Sequence, residues 1–516
     1  MQTFAAIDIG SNSCRLKIAR VQQHRLKVLH EDREVTRLGA SVFESGMVSP
    51  DAMASTLRAL KRFYRAVKLH AADHIRTVGT AALREARNAQ AFVAWVKSET
   101  GWDVEIISGL EEARLIHRGV MNHPGAQGRC LLVDVGGGSC EITLSERKSI
   151  RSTISLPLGA VRLTQEFLSG DPPAPEQIAR LKQIIARELR KGERRLGPLR
   201  ASLVIATSGT AAALAQASQT ARKDKPGRRT GRGRGTGTQL VETRYVRRLA
   251  EKLTRMSSGQ RSAIPGIGPR RTEIIIAGAQ VYAELLERLA LPGFVYSDLG
   301  LRDGILSQML AEQDPKTTAH QQFERDRWIG ILETCRRYGV DPRQWEPVRQ
   351  HAAQLFRDLA AVHQLPEEYR TWLEAAAMMR DVGKFLNYQG HHRHAQYIIA
   401  NSELFGFTPQ QRSIVSAIAR YLGKSWPDPE DRTMRGIPPE EHLHVHRAVV
   451  LLRLAVALNQ DRASDVLKVI LRVYPKRVLL EIRPGRTGAE LELWSLRKEA
   501  NYFREVFRRE LFATLE

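Results

Sequence analysis

Residues 133–142 read VDVGGGSCEI, and this stretch decides the fold reading. A short apolar strand ends on Asp134, three glycines follow (Gly136, Gly137, Gly138), and Ser139 leads into a second strand. Consecutive glycines cost conformational entropy, so a chain keeps them where the backbone has a geometric need. Glu141 lies on the far side of the turn. Two carboxylates flanking a glycine-rich turn suit a hard divalent cation, because Mg²⁺ takes oxygen ligands and usually shares them with substrate phosphates. The same letters also describe a flexible hairpin with surface acids, and the choice rests on whether the theme recurs.

It recurs twice. IDIGSNS, residues 7–13, sets Asp8 at a strand end before Gly10, Ser11, Asn12 and Ser13. Such a turn presents backbone N–H groups and hydroxyls to a phosphate, and small side chains allow close approach. ATSGTAA, residues 206–212, is a third strand that runs into Ser208, Gly209 and Thr210 at a helix start. Ser208 and Thr210 are also ordinary N-cap residues. Three such turns in one region favour a bipartite phosphate site between two halves.

Around these turns, short apolar strands mix with helices as far as residue 305, which is an α/β pattern. From about 306 the period becomes helical, over 320–338, 345–364, 368–386, 392–404, 409–422 and 440–459, with short connections. Residues 466–483 read as a hairpin around Pro475-Lys476, 489–495 as a strand and 497–514 as a final helix. The expected domains are therefore two α/β halves (1–125 and 126–305), an all-α region (306–450) and a small C-terminal α/β unit (451–516).

Two further stretches carry polar candidates. TVGTAALREARN (77–88) holds Arg84, whose planar fork can grip a phosphate or simply face solvent. ISGLEEARL (107–115) holds Glu111 and Glu112, which point about 100° apart on a helix, so only one is expected to face a cleft. The other reading is that both serve the helix N-terminus.

Charge narrows the partner. There are 79 Lys and Arg against 56 Asp and Glu, a formal net charge of +23. Residues 126–305 hold 30 basic and 16 acidic side chains, whereas 306–450 balance at 18 each. A localised excess suggests a site or a tail for a polyanion. Seven basic residues sit in ARKDKPGRRTGRGRGTGT, residues 221–238. That stretch reads as a basic loop, either a solvated insertion or an electrostatic funnel. It lacks the aromatics that stack on bases, so nucleic acid is not the expected partner. Four scattered cysteines without a CxxC pair exclude a disulfide scaffold or zinc ribbon and suggest a reducing compartment. No long apolar run and no signal peptide are read, so a soluble cytoplasmic protein without membrane contact is expected.

Taken together, IDIGSNS, GTAALREARN, ISGLEEARL, DVGGGSCEI, LPLGAVRL (156–163), TSGT and YSDLGLRDGIL (296–306) resemble the exopolyphosphatase / guanosine pentaphosphatase family, in order. The resemblance implies two actin-like, sugar-kinase-like halves of ribonuclease-H type with a cleft between them. It implies Mg²⁺-dependent hydrolysis of the terminal phosphoanhydride of polyphosphate, with guanosine pentaphosphate as the alternative substrate. By motif position it makes Glu112 the catalytic glutamate, with Glu111 as fallback. Asp134 and Glu141 match the family's acidic pair near the metal, with Asp8 beside them. Ser11, Asn12, Ser13, Arg84, the 136–139 turn and the 208–210 turn match its phosphate contacts, and Gly10 belongs to the same cradle. A homodimer is implied as well. A lesser alternative is a polyphosphate- or RNA-binding protein without turnover. The likeness to kinases also keeps nucleotide-dependent transfer as a reading to test.

Residues 320–460 resemble the helical extension of long-form members, and through it the HD phosphohydrolase fold. That fold's metal site needs a His-Asp pair, and here AAAMMRDVGK (375–384) has Arg380 in the histidine's place before Asp381. Leu422 and Asn459 replace further ligand types. An arginine cannot ligate a cation. His391, His392 and His394 persist without those partners and are expected to serve surface or core. The region then reads as a pseudo-phosphohydrolase domain for dimerisation or substrate guidance.

Overall fold

The structure is a computed structural model. It describes residues 2–515 apart from 122, 124–125, 127, 197–200, 202, 224–238, 315, 424, 461–465 and 485–487. The basic loop therefore lies outside the described residues, save for its first three, which close the Ser208–Lys223 helix. The chain divides into two compact units, Met1–Gln321 and Gln322–Glu516.

The first unit contains one topology twice. Its first sheet has β1 (Thr3–Ile9), β2 (Ser13–Gln22), β3 (Arg25–Val35), β4 (His74–Gly79) and β5 (Val104–Ile106), in the order β3-β2-β1-β4-β5. Its second has β6 (Arg129–Val135), β7 (Cys140–Glu146), β8 (Ser149–Leu156), β9 (Leu203–Thr207), β10 (Leu240–Glu242) and β11 (Gly293–Tyr296), in the order β10-β11-β9-β6-β7-β8. Without the edge strand β10, the second order repeats the first. In both, two antiparallel hairpins precede strands that pair parallel. The central strands β1 and β6 read TFAAIDI and RCLLVDV, near-continuous apolar runs that suit burial on both faces.

Two helices exchange between the sheets. The Gly109–Val120 helix follows β5 yet packs on β7 and β8, whereas the Leu301–Gln313 helix follows β11 and packs on β1. The two helices also pack on each other. This crossing brings residues from both halves to one cleft.

Eight α-helices of widely different length fall between Thr318 and Ala457 among the described residues, the first of them starting just before the second unit. They share one hydrophobic core with a three-stranded sheet of β12 (Lys468–Val473), β13 (Arg477–Arg483) and β14 (Glu510–Leu515). The hairpin is where the sequence places it. The segments after it are not: 489–495 opens the Glu490–Phe507 helix, and the chain ends in a strand. The alternating ELELW suggests period two, but its glutamates suit a helix N-terminus instead. Arg508 then takes a left-handed φ of 55° that stops the helix, and ELFATL pairs parallel with β13. No helix among the described residues is long and apolar enough to cross a membrane.

Candidate active site

The β1–β2 and β6–β7 turns close in the same way. Gly10 N–H donates to the Ser13 carbonyl at 3.2 Å, and Gly136 N–H to the Ser139 carbonyl at 3.0 Å. The turns also pack on one another: a Cβ on Gly138 would lie 2.5 Å from Ala81 Cβ and 2.8 Å from Ser11 Oγ. That contact is the physical reason for glycine there. The third turn joins them through Ser208, whose Oγ donates to the Val135 carbonyl at 2.8 Å. Ser208 has φ of 73°, a costly conformation for a non-glycine residue that functional sites tend to retain.

The three turns surround a cavity of about 240 Å³. Asp8, Gly10, Ser11, Asn12, Ser13, Glu112, Asp134, Gly136, Gly137, Gly138, Ser139, Ser208 and Gly209 line it. The remaining candidates stand off the wall. Arg84 lies behind Glu112, its Nη1 3.5 Å from Glu112 Oε2 and donating to the Ile107 carbonyl at 2.7 Å. Its fork is thus engaged by the protein. Glu141 is buried and accepts from Ser155 Oγ at 2.7 Å. Thr210 is buried against the Ile275–Arg288 helix at Gly278. Glu111 takes the outer position: its N–H is capped by Ser108 Oγ, which turns the helix so that Glu112 falls on the buried face.

Four arginines on the cavity wall were not singled out from sequence: Arg15, Arg33, Arg271 and Arg302. Arg302 donates to the Leu16 carbonyl at 2.8 Å, which anchors the start of its helix to β2. Arg271 lies directly on Gly209, where any Cβ would collide with its guanidinium. Burial, then the charges of Arg15 and Arg271, push Arg33 down to about 9. Burial and Arg15 push Arg271 down to about 10. Both stay cationic at neutral pH while repelling one another, which is the electrostatic state of an anion site.

Opposite them are acids displaced the other way. Burial raises Asp134 to about 6 and also raises Asp8, against the pull of Arg15 on both. Burial and then the Glu141 charge raise Glu112, and burial and then the Asp134 charge raise Glu141, with Arg84 opposing at both. Asp8 Oδ1, Glu112 Oε2 and Glu141 Oε2 are buried without hydrogen-bond donors. An all-oxygen set with unsatisfied acceptors fits a hard divalent cation. Among the described residues no three His, Cys, Asp or Glu converge closely enough to hold an ion unaided. A cation there would therefore share its shell with phosphate oxygens of a substrate.

The second unit holds a contrasting carboxylate. Asp381 is buried with Lys384 Nζ at 2.7 Å, Arg380 Nη2 at 3.4 Å and His391 Nδ1 at 3.8 Å. Burial pushes Asp381 up, but these cations outweigh it and hold it below the usual range. Arg380 itself donates to the carbonyls of Ala377 and Gln344.

Two sheets of one topology that bring half-buried arginines and buried acids to one cavity fit an enzyme acting on phosphate groups. The comparisons agree. Residues 17–313 match the Ppx/GppA phosphatase family, and residues 326–504 match domain III of that family. The chain belongs to the Ppx/GppA phosphatase family, whose members are phosphoanhydride hydrolases. It is 27% identical to an exopolyphosphatase from Cytophaga hutchinsonii over 60% of this chain and 98% of that one, with a TM-score of 0.56. It is 29% identical to the Aquifex aeolicus family member over 61% of this chain and 99% of that one, with a TM-score of 0.51.

Proposed function

We propose that the chain is an exopolyphosphatase, hydrolysing the terminal phosphoanhydride of inorganic polyphosphate to release orthophosphate. The observation that carries this reading is that Arg15, Arg33, Arg271 and Arg302 line one cavity with buried Glu112. Arg15, Arg33, Arg271 and Arg302, with the turn amides, neutralise and align the terminal phosphates. Glu112, raised by its surroundings, orients a water in line with the terminal phosphorus and takes its proton as the P–O bond to the shortened chain breaks. Arg84 holds Glu112 in place. Mg²⁺, when bound beside Asp8, Asp134 and Glu141, supplies charge neutralisation for the reacting phosphates. Ser155 fixes one oxygen of Glu141 for that task.

Polyphosphate is favoured over guanosine pentaphosphate because Tyr296 is the one aromatic on the wall among the described residues, which leaves little for a base to stack on. The helical unit is read as a degenerate HD-like domain: the cations around Asp381 belong to the protein, and a metal has no place beside them.

Phosphate release from long polyphosphate and from guanosine pentaphosphate, compared on one preparation, tests the substrate. Preference for the pentaphosphate would overturn it. Glu112→Gln should lower turnover about a hundredfold or more, and an unchanged rate would remove Glu112 from the mechanism.

A further inference from the structure

The basic excess of residues 126–305 is not confined to the cleft. The Pro175–Leu196 helix buries Leu181, Ile185, Leu189 and Leu196 in the core of the second sheet. It turns Arg180, Arg187, Arg190, Lys191, Arg194 and Arg195 to solvent. At 100° per residue these six fall within roughly 140° of arc. Several stand three or four positions apart, where like charges destabilise a helix. Glu188 offsets two of them, at 2.7 Å from Lys191 and 3.1 Å from Arg187. Of the helix's other acids, Glu176 is exposed in the first turn and Glu193 is taken by Arg288 of the Ile275–Arg288 helix at 2.9 Å. Among the described residues, Arg180, Arg190, Arg194 and Arg195 have no acidic partner.

A second basic face lies beyond the Ile275–Arg288 helix, whose own exposed side chains are Glu287 and Arg288. The Ile275–Arg288 helix packs beside both the Pro175–Leu196 and Thr243–Leu253 helices. The last of these exposes Arg244, Arg247, Arg248 and Lys252. Its Glu251 is exposed as well, and Arg247 meets Glu287 at 3.1 Å. No large apolar side chain is exposed on these three helices among the described residues. Among the described residues the face thus lacks the apolar centre of a protein interface, and half-buried Tyr245 is short of the row of aromatics on which a single nucleic-acid strand stacks. It suits a flexible ligand recognised by charge alone.

We infer that this helical face is a second binding surface for polyphosphate, holding the distal part of a chain whose end occupies the cleft. The ligand's identity rests on the exopolyphosphatase reading, but the surface is tested separately. The test variant joins Arg187→Gln, Arg190→Gln, Arg194→Gln and Arg195→Gln; its companion carries lysine at the same four positions. Equilibrium binding of polyphosphate several hundred units long, of tripolyphosphate and of a single-stranded RNA is measured over a salt series with Mg²⁺ chelated. Turnover of both polyphosphates is measured with Mg²⁺.

The glutamine variant should bind the long chain about tenfold or more weakly. The slope of log affinity against log salt should shrink by about three, by analogy with phosphate-backbone binding. Tripolyphosphate binding and turnover should stay unchanged, and the lysine variant should bind as the wild type does. Because the changes are exposed and relieve repulsion, the melting temperature should not fall; a fall would move the reading to the lysine variant against Arg→Gln singles. Unaltered long-chain affinity and salt slope would overturn the surface while leaving the cleft reading intact. Loss of RNA binding alone would overturn it in favour of nucleic acid. Wild-type protein that binds long polyphosphate through these arginines yet releases no phosphate would overturn the cleft reading alone.

Discussion

The β1–β2 and β6–β7 hairpins are one device with one decisive side chain changed. IDIGSNSCR (7–15) parallels VDVGGGSCE (133–141). In the first, Asp8 pairs across the strands with Arg15; in the second, Asp134 pairs with Glu141. Directly opposed residues share a face of the sheet, so each pair sets the local field. Burial raises both Asp8 and Asp134, with Arg15 opposing at each, whereas Glu141 is raised by burial and then by the Asp134 charge. Duplication thus gives two equal turns, and the cross-strand partner, Arg15 in one and Glu141 in the other, is where they differ in charge. In the proposed reading the first hairpin adds a cation, Arg15, beside the acid it lends to Mg²⁺, whereas the second lends two acids. A metal–polyphosphate end carries both signs and needs both.

If that division is real, the acidic hairpin should be the more sensitive to neutralisation. Glu141→Gln is expected to lower kcat about a hundredfold, the scale seen when one preorganised electrostatic group is lost, with KM moving less. Steady-state phosphate release across Mg²⁺ concentrations checks this. A normal kcat with only a raised KM would mean that both hairpins do the same work.

Much of this was legible because the informative residues are local. Glycine runs and small polar residues after an apolar strand have few other uses, and Asp8, Asp134 and the three turns converge as the motifs imply. The arginines escaped notice because each stands alone in sequence, and only the packed sheets bring positions 15, 33, 271 and 302 together. One signal was available: Arg15 follows Ser13 by two residues on a strand, so it shares that residue's face. Arg84 is the opposite case. Its helix lies near the cleft, but its half-buried guanidinium stands 3.5 Å from Glu112 and donates to the Ile107 carbonyl, which no linear spacing reveals. The C-terminal segment failed for a third reason, because ELELW has a strand's period and a helix's capping charges.

Arg15→Gln should have the next largest effect. It removes one charged contact among four, so KM for polyphosphate is expected to rise about tenfold with kcat nearly kept, the scale of one hydrogen bond to a charged group. Kinetics at fixed Mg²⁺ and salt read the split. A fall in kcat without change in KM would place Arg15 on the reacting atoms and blur the division between the hairpins.

The smallest effect concerns protons in the metal-free protein, and its sign separates the acidic hairpin from Asp381. Asp134 is raised to about 6, so the folded protein keeps a proton that the unfolded chain sheds above 3.8. Its contribution to stability is therefore present at low pH and lost as pH rises through that window. A cation that takes the proton's place restores it. At pH 5 about a tenth of Asp134, and still less of Glu141, which is raised to about 7, is ionised, so Mg²⁺ should bind more than about tenfold more weakly than at pH 7.5. The Mg²⁺-induced rise in melting temperature should shrink accordingly. Asp381 behaves oppositely: Lys384 and Arg380 hold its carboxylate below 3.8, so its contribution persists at both pH values and is lost only in stronger acid. Asp381→Asn should thus cost the same stability at pH 5 and pH 7.5, with or without Mg²⁺. A Mg²⁺ shift equal at the two pH values would mean that Asp134 is ionised throughout, and the two-acid hairpin would then be electrostatically no different from the one that carries Arg15.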